Sequence, residues 1–574
     1  LYLRQAVNST VNWRVWNNAA FTEAESRNAP LIIVIGAAWS HDARMMDHQV
    51  FSDAAIASAL NEGFVPVRVD ADERPDIWSR YRLAYEMINQ QRAKPPLVVF
   101  AMPDGRPFDV VSAVPGKSEG DIIGLQDLLA QANKLMAESP DQVAEQANAI
   151  EGVLAQLLAA PRADQVEISA GIVDQLATEL TKAATSEEAQ ALRGGRVAGF
   201  LMHHAASSSN TKSETAASNL LLERFRSGQR DHVMGGYFFR IPGSGEVQFG
   251  KVLPVQTEMI SANARAFSRT EKSLHKEAVT EVVRFCHDWL EDPNGGFYTG
   301  QTPDVGGDDS GAYFTWTREE IEELSGDAKQ ARVFSSYLNA QSGKKTNLHV
   351  TGRLQAAADA AGVSYAEANK ALDAVRQKLN EARMAAEQVP VVDKSIIAGW
   401  NADMICAYLE AAELAKVPAA REFALKTADM IIENMVSERD GVARVLYKSR
   451  ASSFGYLEDN VKVAAALLEC YRASQQTEYL ESAKSLMTFV ESRFLDKESG
   501  LYRDYVDSGT SESLGLLRLK RLPLEDDISR APNAVAAMVW YKLAETEKDD
   551  KHKARGDRMM KAALERRSFT TEAV

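Results

Sequence analysis

The chain has 574 residues, too many for one ordinary domain, and 45% of them are hydrophobic, enough for more than one sizeable core. Its net charge of −15 argues against non-specific nucleic-acid binding and against docking on anionic lipid, both of which need a basic surface. No apolar run reaches the roughly 18 residues that cross a bilayer, so no transmembrane segment is expected.

Three cysteines, Cys286, Cys406 and Cys470, lie far apart, each inside a helical pattern. There is no Cys-x-x-Cys, so neither a zinc knuckle nor a dithiol couple is available, and no metal or cofactor is expected. The three read as buried structural thiols, and their sparseness fits a reducing compartment. The chain begins at Leu1 rather than Met, which is also compatible with a removed export signal. The compartment therefore stays open between cytoplasm and periplasm.

In chain order, residues 11–30 give an aromatic-rich entry and a short helix closed by Asn28 and Pro30. The run 31-LIIVIG-36 predicts a buried strand, followed by a turn at Ser40 and a helix carrying Met45, Met46 and Val50. A second strand is expected at 64-FVPVRVD-70 and a helix after Pro75. The stretch 96–116 alternates around Asp104-Gly105, which is a hairpin signal. An amphipathic helix at about 119–138 closes the unit, and this element order over residues 1–138 is that of a thioredoxin-like α/β fold. A thiol pair would sit at the turn, but the four positions are Ser40, His41, Asp42 and Ala43. Thiol–disulfide exchange needs a thiolate, which an unactivated serine does not replace. Ser40, His41 and Asp42 are too close in sequence to converge as a triad, and His41 and His48 lie too far apart on a helix to share one metal. Pro96, before a strand, is the natural place for a cis-proline beside such a turn.

Residues 139–165 read as a helical linker, and 166–574 are dominated by long Ala/Leu/Glu helical patterns. A Gly turn leading into an aromatic stretch recurs at 235-GGYFFR-240, 295-GGFYTG-300, 440-DGVARVLY-447 and 499-SGLYRDY-505. Paired helices punctuated in this way suggest an all-α (α/α)6 toroid, with an open superhelix of helix pairs as the competitor. The acidic loop 301–311 lacks the alternating carboxylates of a calcium loop. The last residues, 568–574, read as frayed.

Three polar clusters precede apolar helices in this half. Trp400 and Asn401 close 393-DKSIIAGWN-401, Glu458 and Asp459 open the helix after Tyr456, and 525-EDDISRAPN-533 precedes another. A Trp beside an amide can stack on a sugar, and paired acids can do general acid/base work as in glycosidases. Core packing and helix capping are the structural alternatives at the same residues.

These motifs together resemble the thioredoxin-domain proteins related to spermatogenesis-associated protein 20. That resemblance implies a thioredoxin-like domain followed by a six-hairpin-glycosidase-like (α/α)6 domain. It rests on 2-YLRQAVNSTVNWRVWNNAAF-21, 64-FVPVRVDADERPDI-77 and 96-PLVVFAMPDGRPF-108. It continues through 314-FTWTREEIEEL-324, 347-NLH-349 and 457-LED-459. Aligned to the family, both redox cysteines are replaced, at Ser40 and Ala43, and Pro96 completes a vestigial redox site. A His, a Glu and an Asp of the family's helical domain are replaced by Val255, Thr257 and Ala262. The family residues that survive, and so the cavity-binding candidates, are His349, Asp393, Trp400, Asn401 and Asp459.

Loss of chemistry in both domains, with the framework motifs kept, leads to the expectation of a non-catalytic scaffold or binding subunit whose partner is another protein. A carbohydrate-active enzyme or sugar-binding protein using the toroid cavity is the alternative.

Overall fold

The computed structural model describes residues 1–159, 170–186, 189, 192, 194–240, 246–305, 311–506, 514–526 and 530–567. It divides into two compact units, one of residues 1–168, 394–403 and 427–574, the other of 169–393 and 404–426.

The first unit opens with α1 (Tyr2–Gln5), β1 (Arg14–Val15), α2 (Asn18–Arg27), β2 (Leu31–Gly36) and α3 (His41–Met45), which runs into one π turn. Then come α4 (Ala54–Gly63), β3 (Val65–Asp70), α5 (Pro75–Asn89), β4 (Leu97–Ala101), β5 (Pro107–Val111), α6 (Leu125–Glu138) and α7 (Pro140–Leu157). The strands form one sheet in the order β1-β3-β2-β4-β5, with β1, β3 and β2 parallel and β4 and β5 antiparallel to their neighbours. This is the expected thioredoxin-like order.

Side-chain alternation explains why β2 is apolar throughout. Leu31, Ile33 and Ile35 enter the core under α2, α5 and α7, while Ile32 and Val34 enter the core under α4 and α6. Helix α6 begins at Leu125, later than the periodicity suggests, because Glu119 and Ile122 pair across a tight turn first. Within the stretch read as a helical linker lies α7. Its Val143 and Ala147 join one core and its Ile150 and Leu154 the other, and residues 160–165 lie outside the described residues. The free edge of the sheet is blunted: Gln146 and Asn89 donate their amides to the Phe108 and Val110 carbonyls of β5.

The rest of the described chain is mainly helices, joined by turns and short strands. The helices are α8 (Ala170–Ala184), α9 (Gly194–Ser208), α10 (Thr211–Arg226), α11 (Leu253–Thr270), α12 (Ser273–Trp289), α13 (Arg318–Ser325), α14 (Ala328–Tyr337), α15 (Leu354–Ala361) and α16 (Tyr365–Met384). After them come α17 (Ala398–Leu414), α18 (Pro418–Met435), α19 (Leu457–Ser474), α20 (Thr477–Arg493), α21 (Pro532–Glu547) and α22 (Asp550–Arg567). Several joints share one device: Ser209, Glu271, Lys416, Gln475 and Lys548 adopt positive φ, which stops one helix and lets the next reverse. Among the described residues, no helix is long and apolar enough to cross a membrane.

The recurring Gly turns are built alike. Gly235, Gly295 and Gly500 donate to the carbonyls of Asp231, Asp292 and Asp496, at 3.0, 2.9 and 2.8 Å. A buried amide in the first turn of a later helix then clamps the extended residue that follows. Gln256 accepts from the Tyr237 N–H at 2.8 Å, Asn460 from Val442 at 3.0 Å and Asn533 from Tyr502 at 2.9 Å.

Within the first unit, the segment Gly515–Arg518 returns to the sheet. Leu516 and Leu517 pack with Trp16, Phe21, Tyr81, Ile150 and Leu154. The approach is close: a Cβ on Gly105 would sit 2.6 Å from the Gly515 Cα. Arg80 fixes the same seam with an ion pair to Asp504 at 2.7 Å and bonds to the Leu519 carbonyl.

Candidate functional site

The turn that would carry thiols has become packed interior. Ser40 is fully buried and caps α3 by accepting from the Ala43 N–H at 3.3 Å. Its hydroxyl proton goes to the Pro95 carbonyl at 2.7 Å, and the Pro95–Pro96 peptide is cis. Ala43 is buried against Tyr2 and Ala38. The Tyr2 ring leaves no room for a side chain at Gly36, and the Arg68 guanidinium stacks on it, 3.7 Å from the ring centre. Arg68 is in turn held by both Asp47 oxygens at 2.6 Å. Burial pushes the Tyr2 phenol above its usual range, and its hydroxyl has no partner among the described residues. Removing the cap by Ser40→Ala is expected to cost about 1–2 kcal/mol, read from urea unfolding, because a helix cap and the bond to Pro95 are lost together.

Beside this turn lies a chain of charges that are largely buried, except for Arg530 at its end. The Trp39 indole donates to the Asp72 carboxylate at 2.9 Å, and the Asp72 carbonyl accepts from Arg444 at 2.7 Å. Arg444 also pairs with Asp459 at 2.9 Å and Glu458 at 3.2 Å. Lys462 joins Glu458 at 2.9 Å to Asp403 at 2.8 Å, and Arg530 closes on Asp403. Three cations thus face three carboxylates. Burial acts to raise the Asp403 carboxyl, but Lys462 and Arg530 outweigh it and hold it below the usual range. Burial raises the Asp459 carboxyl above its usual value, with Arg444 opposing and Glu458 adding to the rise. A raised carboxyl is what a general acid needs, yet Asp459 is fully buried and both its oxygens are used, one by Arg444 and one by the Gly399 N–H at 2.7 Å.

The three polar clusters read from the sequence do converge in part. Gly399 and Asp403 of α17, Glu458 and Asp459 of α19, and Arg530 before α21 belong to this one network. Residues 527–529 of the third cluster lie outside the described residues. Trp400 is only 1% exposed, so it offers no open face to a sugar. Asn401 is buried and donates to the Ile397 carbonyl four residues back, as Asn460 does to Tyr456. It holds the position of the clamping amides, a role sequence reasoning missed. Gln256, Asn401 and Asn460 each stand fourth in their helix, whereas Asn533 stands second.

In the second unit, the Asp393 carbonyl accepts from both the Thr299 N–H and hydroxyl. His349 donates from Nδ1 to the Asn347 carbonyl at 3.1 Å and accepts at Nε2 from the Asn339 amide at 3.2 Å. Both ring nitrogens are spent. Val255, Thr257 and Ala262 lie on α11, and the Thr257 hydroxyl returns to the Leu253 carbonyl. Asp304 is buried, whereas Asp308 and Asp309 of the acidic loop, like residues 568–574, lie outside the described residues. Cys286 and Cys470 are buried and Cys406 is partly so; burial pushes the Cys286 thiol up.

Two further polar groups are structural. His204 contacts Ser213 at 3.1 Å and Asp174 at 2.9 Å, which looks like a nucleophilic triad, but Ser213 is buried on α10 where no acyl group reaches it. His275 donates from Nδ1 to Asn263 at 2.9 Å and buries an unpartnered Nε2. Burial, with Lys272 adding, lowers His275 to about 4 from 6.5. The native state therefore binds fewer protons than the unfolded chain between those values. Stability from this group is present above pH 6.5 and is lost as pH falls toward 4. Urea unfolding across that window is expected to show the loss, and His275→Gln is expected to flatten it.

A thioredoxin-like α/β domain without its dithiol, followed by a domain of paired helices, is the class defined by these features. Residues 1–155 match the family model Thioredox_DsbH, described as a protein of unknown function, DUF255. The chain is similar to human spermatogenesis-associated protein 20, with 23% identity across 93% of this chain and 74% of that protein. An uncharacterised Caenorhabditis elegans protein is 22% identical across 98% of this chain and 82% of its own length. The resemblance read from the motifs is thus met. Among solved structures, the unsaturated glucuronyl hydrolase of Bacillus sp. GL1 matches 60% of this chain and 78% of its own, with 9% identity and a TM-score of 0.36. A D-mannose isomerase matches 60% and 86%, with 14% identity and a TM-score of 0.30.

Proposed function

We propose that this chain is a non-catalytic binding subunit that serves other proteins through a retained framework. The observation that carries the reading is the fate of the polar residues that survive where chemistry would be expected. Ser40 is consumed by helix capping and Pro95, and Asp459, Glu458 and Asp403 are each locked to a cation. A reacting carboxylate needs an oxygen open to its substrate, and Asp459 is fully buried with both oxygens engaged.

Turnover assays test this. Hydrolysis of aryl glycosides and epimerisation of mannose and cellobiose, followed by NMR, are expected to stay at the buffer rate. Turnover that disappears in Asp403→Asn or Asp393→Asn protein would establish the carbohydrate-active alternative instead.

A further inference from the structure

We propose that a groove of the first unit holds an extended segment of a partner protein, apolar in its middle and flanked by lysine or arginine. The inference rests on the reading of the chain as a binding subunit, and it names where, and to what chemistry, the chain binds. The groove has a volume of about 480 Å³ and runs between α3 with its π turn and the loop that follows β5. Trp39, Ser40, Pro95 and Pro96 do not line it, so it is a site apart from the turn that carries Ser40.

Its walls are apolar. Met45, Met46 and Val50 stand on one side, Val114 and Pro115 on the other. The volume lies within the range of pockets that hold small ligands, about 300–1,000 Å³, and so suits a few side chains. Methionine thioethers are flexible and polarisable and adapt to the shape of what they meet. At the rim, Glu119 lines the groove and is bridged to Ile122. Ile122 is 57% exposed and Ile123 beside it 46%, which extends the apolar surface that a partner can cover.

The backbone is the second argument, and it is independent. Among the described residues, Ala113 and Val114 make no backbone hydrogen bond, whereas the Pro115 and Gly116 carbonyls accept from the Leu125 and Gln126 N–H groups at 2.8 and 3.1 Å. Pro115 biases Val114 toward an extended conformation. The N–H and carbonyl groups of these two residues therefore stand ready along the groove. Main-chain pairing of this kind gives an extended peptide its affinity, while alternate side chains fill the pocket beside it.

Charge sets the flanks of the segment. Asp42 lines the groove but is paired with Lys94 at 2.8 Å. Asp53 accepts with one oxygen from the Ala55 and Ile56 N–H groups, which leaves its charge in place. Glu119, and Asp121 two residues on, lie on an exposed turn and have no ion-pair partner among the described residues. Against these three carboxylates the groove sets one cation of its own, Lys117. Complementary charge at a rim speeds association and selects the partner, here a basic one.

Fluorescence anisotropy of the full chain with three labelled peptides tests the site: Lys-Val-Leu-Val-Lys, Glu-Val-Leu-Val-Glu and Lys-Ser-Gly-Ser-Lys. The first is expected to saturate, about tenfold or more tighter than either of the others. Met45→Lys is expected to weaken it about tenfold. Glu119→Lys combined with Asp121→Lys is expected to weaken it about tenfold at low salt and less at high salt, in a protein that melts within a few degrees of the parent. These charge reversals lie on an exposed turn and keep the test open if Met45→Lys fails to fold. No saturation by Lys-Val-Leu-Val-Lys, equal binding of the acidic or the polar peptide, or unchanged affinity in a folded variant would overturn the proposal. A parent dimer that Met45→Lys dissociates would also overturn it, by giving the groove to a second copy of the chain. These outcomes are separate from turnover of sugars, which bears on the non-catalytic reading alone.

Discussion

Replacing Asp459 by alanine lowers the unfolding free energy by about 3–5 kcal/mol, the usual result of breaking a buried ion pair from one side. Asp459 and Arg444 are both essentially inaccessible, and their pair at 2.9 Å is the centre of the network that runs from the Asp72 carbonyl to Asp403. Alanine strands the Arg444 guanidinium in the interior and leaves the Gly399 N–H without its acceptor. Asp459→Asn keeps an acceptor for Gly399 and is expected to lose less. Replacing both partners by apolar residues, Asp459→Leu with Arg444→Met, is expected to recover much of the loss, since an unpaired buried charge costs more than a missing pair. Urea unfolding of the parent, Asp459→Leu, Arg444→Met and the double variant measures the cycle. Additive losses would mean that the two side chains do not act as a pair.

Leu516→Ala is expected to cost about 2–5 kcal/mol, although Leu516 lies more than 350 residues from the sheet it covers. Its side chain is fully buried beside Trp16, Phe21 and Tyr81. The thioredoxin-like domain therefore lacks part of its own core until the segment Gly515–Arg518 returns to it. A fragment ending at residue 157 is expected to bind a hydrophobic dye and to melt without the cooperativity of the full chain. A fragment as stable as its counterpart within the intact protein would contradict this.

The α/β framework was legible because its signals are local. The run 31-LIIVIG-36 needed both faces covered, and Asp104-Gly105 marked the turn between β4 and β5. The Gly turns before aromatic stretches were also visible, since Gly235, Gly236, Gly295, Gly296, Gly441 and Gly500 all require positive φ. The site was legible only in residue type. Arg444 sits in an unremarkable extended stretch, and nothing in helical spacing links it to Glu458 and Asp459, 14 and 15 positions on. Trp400 beside Asn401 has the composition of a sugar platform, but composition does not tell an open ring from one that is 1% exposed. The amide clamps escaped notice because Gln256, Asn460 and Asn533 stand at different places in their helices and reach partners 19, 18 and 31 residues away.

At the turn between β2 and α3 the side chains serve packing and capping, and thiol reactivity of the S40C/A43C double variant tests that most directly. In the native protein, Ser40 is sealed under Pro95 and Ala43 under Tyr2. The introduced thiols are expected to react with an aromatic disulfide reagent only on unfolding, and the variant is expected not to reduce insulin. Rapid, stoichiometric labelling of both thiols in the folded protein, with insulin reduction above the background of the parent chain, would show that only the sulfurs had been lost.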